Sequence, residues 1–305
     1  MAIPTTRTKL PAEIVIASEI CTGCGRCINV CQDMCLIIES GKAKASGKSK
    51  FGCYGCGQCM AICPTGAIQI SGRTMSPEQV YLLPPKSNVI GYEQLITLYR
   101  RRRSMRNFED QAIGEELIEK IISAAVTAPM GLPPSDVHLL VFDSKEKNHV
   151  FAKDFCDYIK TMKWYFSSIN LFFMKPFISK ENYEMYKQFV APLCKEYIKS
   201  MKKGENTVTY DAPLSIYFYG TPYSDIADPV IAATYAMIAA ESLGLSTCMI
   251  GAVHPMIQHG KRAKIFRENH GIKYASNEGL IVLFGYPAVH YHKGIKRTFA
   301  SVVRV

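Results

Sequence analysis

A chain of 305 residues, 48% hydrophobic and 20% charged, has the length for roughly two domains and the apolar content for packed cores. This balance excludes a disordered chain, and no uninterrupted apolar run of about 18 residues is present to form a transmembrane helix. The formal charge of +10 suits an anionic cofactor or an acidic redox partner. With no finger, basic zipper or RNA-binding motif, nucleic acid is not an expected partner.

Near the start, the apolar run from Ile14 to Ala17 is flanked by Glu13 and Glu19 and is too short for a secretory signal, so the expected compartment is the cytoplasm. In that setting the 12 cysteines are better explained as metal ligands than as a disulfide framework. Their distribution agrees: they crowd between Cys21 and Cys63, and only Cys156, Cys194 and Cys248 are scattered beyond.

Shifting the chain against itself by 32 residues lays Cys21, Cys24, Cys27 and Cys31 onto Cys53, Cys56, Cys59 and Cys63. Both runs read C-x2-C-x2-C-x3-C, with glycine inside the first spacer and again after the second cysteine. Three thiolates at this spacing wrap one face of a small cubane, and the glycines let backbone N–H groups turn toward sulfur. One zinc ion needs only four ligands, commonly as two separated C-x2-C pairs. Two complete runs point instead to two [4Fe–4S] clusters. In two-cluster ferredoxins the fourth cysteine of each run serves the other cluster. One cluster is therefore expected on Cys21, Cys24, Cys27 and Cys63, and the other on Cys53, Cys56, Cys59 and Cys31. Pro64 follows the second run, whereas Gln32 follows the first. Cys35 falls on Ala67 at the same offset and reads as a buried core thiol. Each cluster with its thiolates carries −2, which lowers the formal +10 to about +6.

Residues from about 10 to 72 resemble the bacterial-type 2[4Fe–4S] ferredoxins, with Ala67 to Ile70 as the short strand closing that fold. The resemblance implies one-electron transfer at low potential between two neighbouring clusters.

From Arg73 to Ile90 the prolines Pro77, Pro84 and Pro85 and the lack of periodicity read as a linker. A helix is then expected over Tyr92–Arg102, burying Leu95, Ile96, Leu98 and Tyr99. A second is expected over Glu115–Ala125, with Ile113, Leu117, Ile118, Ile121, Ile122 and Ala125 at helical spacing. Strands are expected over Val137–Phe142, Leu214–Tyr219, Thr247–Ile250 and Leu280–Phe284. Asp228-Pro229 reads as an N-cap and first helical position, and Gly244 as the helix end. Helices interleaved with a few strands, some antiparallel, define an α+β domain.

Neither G-x-G-x-x-G after a strand nor G-x4-G-K-[ST] occurs, so any phosphate site is built differently. The candidate is Arg100-Arg101-Arg102-Arg103-Ser104-Met105-Arg106-Asn107-Phe108, where guanidinium groups and a hydroxyl can clamp a dianionic phosphate. Charge pattern alone leaves equal room for a solvated basic helix end facing the negative pole of the dipole.

This segment, Ala128 to Ser135, Gly244 to Gly251, and Gly285-Tyr286-Pro287 with Arg297 resemble, in that order, the nitroreductase family of FMN enzymes. Joined to the N-terminal cysteine module, the whole resembles the ferredoxin–nitroreductase fusions of anaerobes. The resemblance implies a ferredoxin domain over 1–72, a linker over 73–90 and an FMN domain over 91–305 whose central, mainly antiparallel sheet is flanked by helices. It assigns Arg102, Arg103, Ser104 and Arg106 to the FMN phosphate, ribityl chain and pyrimidine edge. Arg297, with Lys296 or Lys293 as alternatives, is the C-terminal cation on the phosphate. Ile250 and Gly251 offer backbone N–H to flavin N5. Pro129, Met130 and Gly131 form a loop reaching the FMN of a partner subunit, so a homodimer is implied. The family's usual loop carries Ser, Asn and Gln where Met130, Pro133 and Ser135 stand here. Cys248, within the matched strand, reads as a small core residue.

Flavin carries the chemistry in such a protein, and no dedicated nucleophile or general acid is required. This fits the lack of a Ser–His–Asp or Cys–His constellation; His290 and His292, the one close histidine pair, are too few for a zinc site. The expected function is electron transfer from the two clusters to FMN and on to a nitroaromatic, quinone or activated alkene. Alternatives are reductive dehalogenation, flavin modification, or a relay that serves a protein partner. The electron donor is a reduced ferredoxin-type protein or NAD(P)H. An aromatic-rich stretch between Phe151 and Tyr210, including Trp164, Tyr165, Phe166, Phe172, Phe173, Phe177, Tyr183, Tyr186, Phe189 and Tyr197, is expected either to pack between helices or to cover the flavin.

Overall fold

The computed structural model describes residues 10–31, 34–49, 51–131, 135–164 and 167–304. Gln32, Pro133, Tyr165 and Phe166, all named above, lie outside the described residues. The chain divides into two compact units, one of Met1–Val89, Pro129–Val137 and Gly220–Asp228, and one of Ile90–Ala128, His138–Tyr219 and Pro229–Val305.

In the first unit, β1 (Glu13–Ile16) and the strand Ile68–Ser71 pair antiparallel, with Ile14 opposite Ile70 and Ile16 opposite Ile68. Between them, in chain order, come α1 (Arg26–Val30), β2 (Leu36–Glu39), β3 (Lys42–Ala45) and α2 (Gln58–Ile62), so that Ile68–Ser71 is β4. The β2–β3 hairpin turns on Ser40 and Gly41, both at positive φ (51° and 73°), the combination a tight two-residue hairpin needs. That hairpin has no counterpart among the expected elements, because four-residue strands carry too little alternation to stand out. The core of this unit is thin: Leu36, Met60, Ile68 and Ile70 are buried together with Cys21, Cys27 and Cys59. A core in which thiols replace aliphatic side chains gains its stability from the metal they bind. The segment expected as a linker holds two single 3-10 turns, Pro77–Gln79 and Lys86–Asn88, the first closed by a Ser76–Gln79 capping box.

The second unit is built on a four-stranded sheet. Its strands are β5 (Val137–Phe142), β6 (Leu214–Gly220), β7 (Ser246–Ile250) and β8 (Gly279–Gly285), in the order β5-β6-β8-β7. β8 runs antiparallel to both β6 and β7. Every residue of β6 and β8 is buried, which explains sequences that are apolar runs rather than alternating strands. The helices are α3 (Tyr92–Arg101), α4 (Glu115–Val126), α5 (Lys145–Lys160), α6 (Ser168–Met174), α7 (Lys180–Met185), α8 (Ala191–Lys202), α9 (Asp228–Ser242), α10 (Val253–Met256) and α11 (Lys261–Asn269). Phe151 and Phe155 of α5, Tyr197 of α8 and Phe266 of α11 interlock in the core, Phe151 meeting Phe266 edge-on at 5.7 Å.

Helices α3 and α5 show two kinds of departure from expectation. α4 buries Ile118, Ile121 and Ala125 as its spacing requires. α3 buries none of its residues: Leu95, Ile96 and Leu98 are half-buried, and Tyr99 is 45% exposed. Helix α5 was not anticipated, although Phe151, Phe155 and Ile159 recur every four residues behind the N-cap Ser144, whose hydroxyl accepts from Lys147 N–H.

Candidate functional site

The two cysteine runs fold alike. In each, a left-handed glycine (Gly25, φ 73°; Gly57, φ 72°) precedes the short helix bearing the third cysteine. Gly23 could carry no side chain, since a Cβ there would lie 2.0 Å from the Gly41 carbonyl oxygen of the hairpin. Backbone N–H groups donate to sulfur in matching positions: Cys35 to Cys31 Sγ and Ala67 to Cys63 Sγ, both at 3.3 Å. These two donors are 32 residues apart, so the internal repeat is a repeat of structure as well as of sequence. Cys35 is buried, as is its counterpart Ala67.

Cys21, Cys24, Cys27 and Cys63 line one common cavity, together with Pro64 and Thr65. Neighbouring sulfurs act on Cys53 from Cys56 and Cys31, and on Cys59 from Cys53, Cys56 and Cys31. Cys63 thus faces the first three cysteines of the first run, and Cys31 lies beside Cys53 and Cys59 of the second. Burial pushes the Cys59 thiol up to about 12, with the neighbouring Cys53 sulfur pushing the same way. Among the described residues no three His, Cys, Asp or Glu side chains are close enough to share a single metal ion. A cubane holds its thiolates at separate corners. Crossed quartets, inward N–H groups and small residues behind them fit that group.

In the second unit the arginine segment runs beside β7. Met105 N–H donates to the Thr247 carbonyl at 2.9 Å, Ser104 bridges Thr247, and Phe108 bridges Pro287. Three of the four segments singled out in the sequence are therefore laid side by side. Arg102 caps α3 and Arg103 donates to its carbonyl at 2.9 Å. A cavity of about 600 Å³ is lined by Arg100, Arg101, Arg103, Glu241, His290 and Lys293. The Glu241 carboxyl is pushed up by burial, against the pull of Arg101, Arg102 and Arg103, and its Oε2 has no hydrogen-bond partner. A second cavity, of about 800 Å³, takes in Arg106, Tyr210, Ile250 and Gly251. A Cβ built on Gly251 meets nothing within 4 Å, so this backbone opens onto free space. One wall of that cavity carries a π-helical turn, Tyr186–Val190, where Pro192 withholds the N–H that a regular helix would use.

Arg106, Ile250 and Gly251 are thus gathered in one cavity and Arg103 in the other. Arg297 lies on the exposed C-terminal segment and lines neither. Pro129, Met130 and Gly131 belong to the first unit, where Gly131 N–H donates to Asp228 Oδ1 at 2.9 Å and burial raises the Asp228 carboxyl. The aromatic stretch divides: Tyr197 is core and cavity wall, Tyr186 and Phe189 line the larger cavity, while Trp164, Phe172, Phe173 and Phe177 are exposed. Sequence reasoning missed Met249 and Tyr210 in that wall. Tyr210 marked only the end of the aromatic stretch.

A cysteine module of repeated cluster runs joined to an α+β unit with arginine in both of its cavities is the organisation of an iron–sulfur oxidoreductase. Residues 99–286 match the nitroreductase family and residues 20–68 match a 4Fe-4S dicluster domain, so the chain belongs to the nitroreductase family. Among solved structures it is similar to a nitroreductase with bound FMN from Desulfitobacterium hafniense DCB-2, at 20% identity over 71% of this chain and 100% of that one, with a TM-score of 0.49. It is also similar to a nitroreductase with bound FMN from Bacteroides fragilis NCTC 9343, at 18% identity over 69% and 99%, with a TM-score of 0.49. No curated protein matches.

Proposed function

We propose that the chain is an iron–sulfur flavoprotein that passes electrons from two [4Fe–4S] clusters to FMN and on to an electron-poor organic acceptor, a nitroaromatic, quinone or activated alkene. The observation that carries this reading is the gathering of Arg106, Ile250 and Gly251 in one cavity of a nitroreductase-family unit. FMN, when bound, supplies the exchange between single electrons and electron pairs.

The protein's own groups divide the work. Cys21, Cys24, Cys27 and Cys63 hold one cluster, and Cys53, Cys56, Cys59 and Cys31 the other. Arg102, Arg103 and Ser104, with Arg297, hold the phosphate and ribityl chain through charge-assisted bonds. The Arg106 guanidinium offers positive charge to the pyrimidine edge, and Ile250 and Gly251 orient the ring through backbone N–H. Methionine and aromatic walls exclude water and favour an apolar acceptor. At about 800 Å³ the cavity is within the range of small-molecule sites and has the room a flavin ring needs. Pro129–Gly131 reaching a second copy's FMN would make the active species a homodimer. The donor is a reduced ferredoxin-type protein or NAD(P)H, and the compartment is the cytoplasm.

Anaerobic purification followed by iron, sulfide and flavin analysis tests the reading. The expected content is about eight iron atoms and one FMN per chain. A colourless protein without sulfide or flavin would overturn it.

A further inference from the structure

We infer that Tyr210 is a positioning residue: a strained, pinned turn at Tyr210–Asp211 sets its ring against the Arg106 guanidinium and so fixes the charge that Arg106 presents to the flavin. The inference rests on the reading of Arg106 given above. Tyr210 and Asp211 both occupy the left-handed region, at φ 51° and 47°. A bulky aromatic residue there is a genuine outlier, where glycine or asparagine would be at ease. Such a conformation persists only where its surroundings over-determine it.

The surroundings do so. Buried Asn206 accepts from Val208 N–H at 3.1 Å and Thr209 N–H at 3.0 Å, and its amide donates to Thr209 Oγ1 at 2.7 Å and Asp211 Oδ1 at 2.8 Å. His149 Nδ1 lies 3.0 Å from the same Asp211 oxygen. From the other side, Thr209 Oγ1 donates to the Asn148 carbonyl at 3.2 Å, and the Asn148 amide donates to the Ala212 carbonyl at 2.9 Å. Asn148, Thr209 and Ala212 have no exposure at all. This much buried polar bonding serves to hold two residues in a backbone shape that their side chains disfavour.

What the turn delivers is the Tyr210 ring. Its centroid lies 5.9 Å from the Arg106 guanidinium carbon, within cation–π range. Both side chains line the cavity that contains Ile250 and Gly251. Arg106 is otherwise exposed on an irregular segment, and a long cation there samples many rotamers. The aromatic face narrows that sampling before any ligand arrives, which favours binding by lowering the cost of ordering.

The test uses the full-length, cluster-containing protein and FMN as probe, with three variants: Arg106→Ala, Tyr210→Gly and Tyr210→Phe. Retention of FMN, the potential of bound FMN and the thermal midpoint are measured for each. Tyr210→Gly removes the ring but relieves the left-handed strain. It should weaken FMN affinity about three- to tenfold and move the flavin potential to more negative values, and the thermal midpoint identifies any loss that comes instead from the ring's packing against the core. Tyr210→Phe keeps the ring and should match the wild type in affinity and potential. Wild-type affinity and potential in Tyr210→Gly, or a Tyr210→Phe variant as impaired as Tyr210→Gly, overturns the inference. If Arg106→Ala impairs both readouts and Tyr210→Gly neither, only the inference falls. If Arg106→Ala itself changes nothing, the reading of Arg106 fails and takes the inference with it.

Discussion

His254 is 4% exposed, and its Nδ1 lies 2.8 Å from the Tyr217 hydroxyl. Burial pushes the imidazole below its ordinary value, with Glu278 pulling the other way, and burial also raises the Tyr217 hydroxyl. Burial therefore holds both members of the pair neutral. In the unfolded chain His254 takes up a proton near pH 6.5, while the native ring does so only at lower pH. Unfolded molecules then hold more protons, so stability falls as pH drops through 6.5 toward the native value, by up to about 1.4 kcal/mol per pH unit. Thermal midpoints at pH 7.5 and 5.5 should differ in the wild type, and the difference should shrink in His254→Gln. His270, likewise lowered by burial against Asp154, leaves a residual slope of the same sign. The same ring constrains Gly279: a Cβ there would lie 2.6 Å from His254 Nδ1 and 2.9 Å from the Phe218 carbonyl oxygen. Gly279→Ala should cost about 1–3 kcal/mol, read from the denaturant midpoint. Neither residue stood out in the sequence, because their partners are distant in the chain. The cysteines stood out because their chemistry is written in local spacing.

Among the elements, those with a sequence signal of their own were legible. α4 shows a helical stripe, β6 and β8 are long apolar runs, and Gly244 ends α9 at φ 80°. The β2–β3 hairpin and the five-residue helices α1 and α2 were not, since their geometry is set by glycine placement around the thiols rather than by periodicity. α3 shows the opposite failure: its apolar spacing is clear, yet its best candidates are only half-buried within one chain. Since α1 and α2 are related by the internal repeat, the proposed crossing of ligands between them has a distinctive consequence. Cys24→Ala with Cys63→Ala strikes one cluster twice and should leave about four iron atoms per chain. Cys24→Ala with Cys31→Ala strikes each cluster once and should leave well below that number. Equal iron content in the two double variants would contradict the crossed arrangement.

At the scale of the whole molecule, two kinds of electron entry make different demands on the chain. A hydride donor reduces a flavin directly and needs no cluster. A ferredoxin-type protein gives single electrons and needs the cysteine module to receive them. The formal charge of +10, about +6 once both clusters are counted, favours an acidic protein donor through long-range attraction. Attraction of this kind is screened over about 10 Å at 0.1 M salt, so it acts on the encounter rate and not on chemistry after docking. Stopped-flow reduction by an acidic reduced ferredoxin should therefore slow on the order of tenfold between low and high ionic strength. In a Cys21→Ser/Cys53→Ser variant prompt flavin bleaching by that donor should disappear. Salt-independent reduction by ferredoxin would remove the case for electrostatic steering, and prompt bleaching by NADH or NADPH in the cluster-deficient variant at the wild-type rate would place electron entry at the flavin and leave the clusters off the obligatory route.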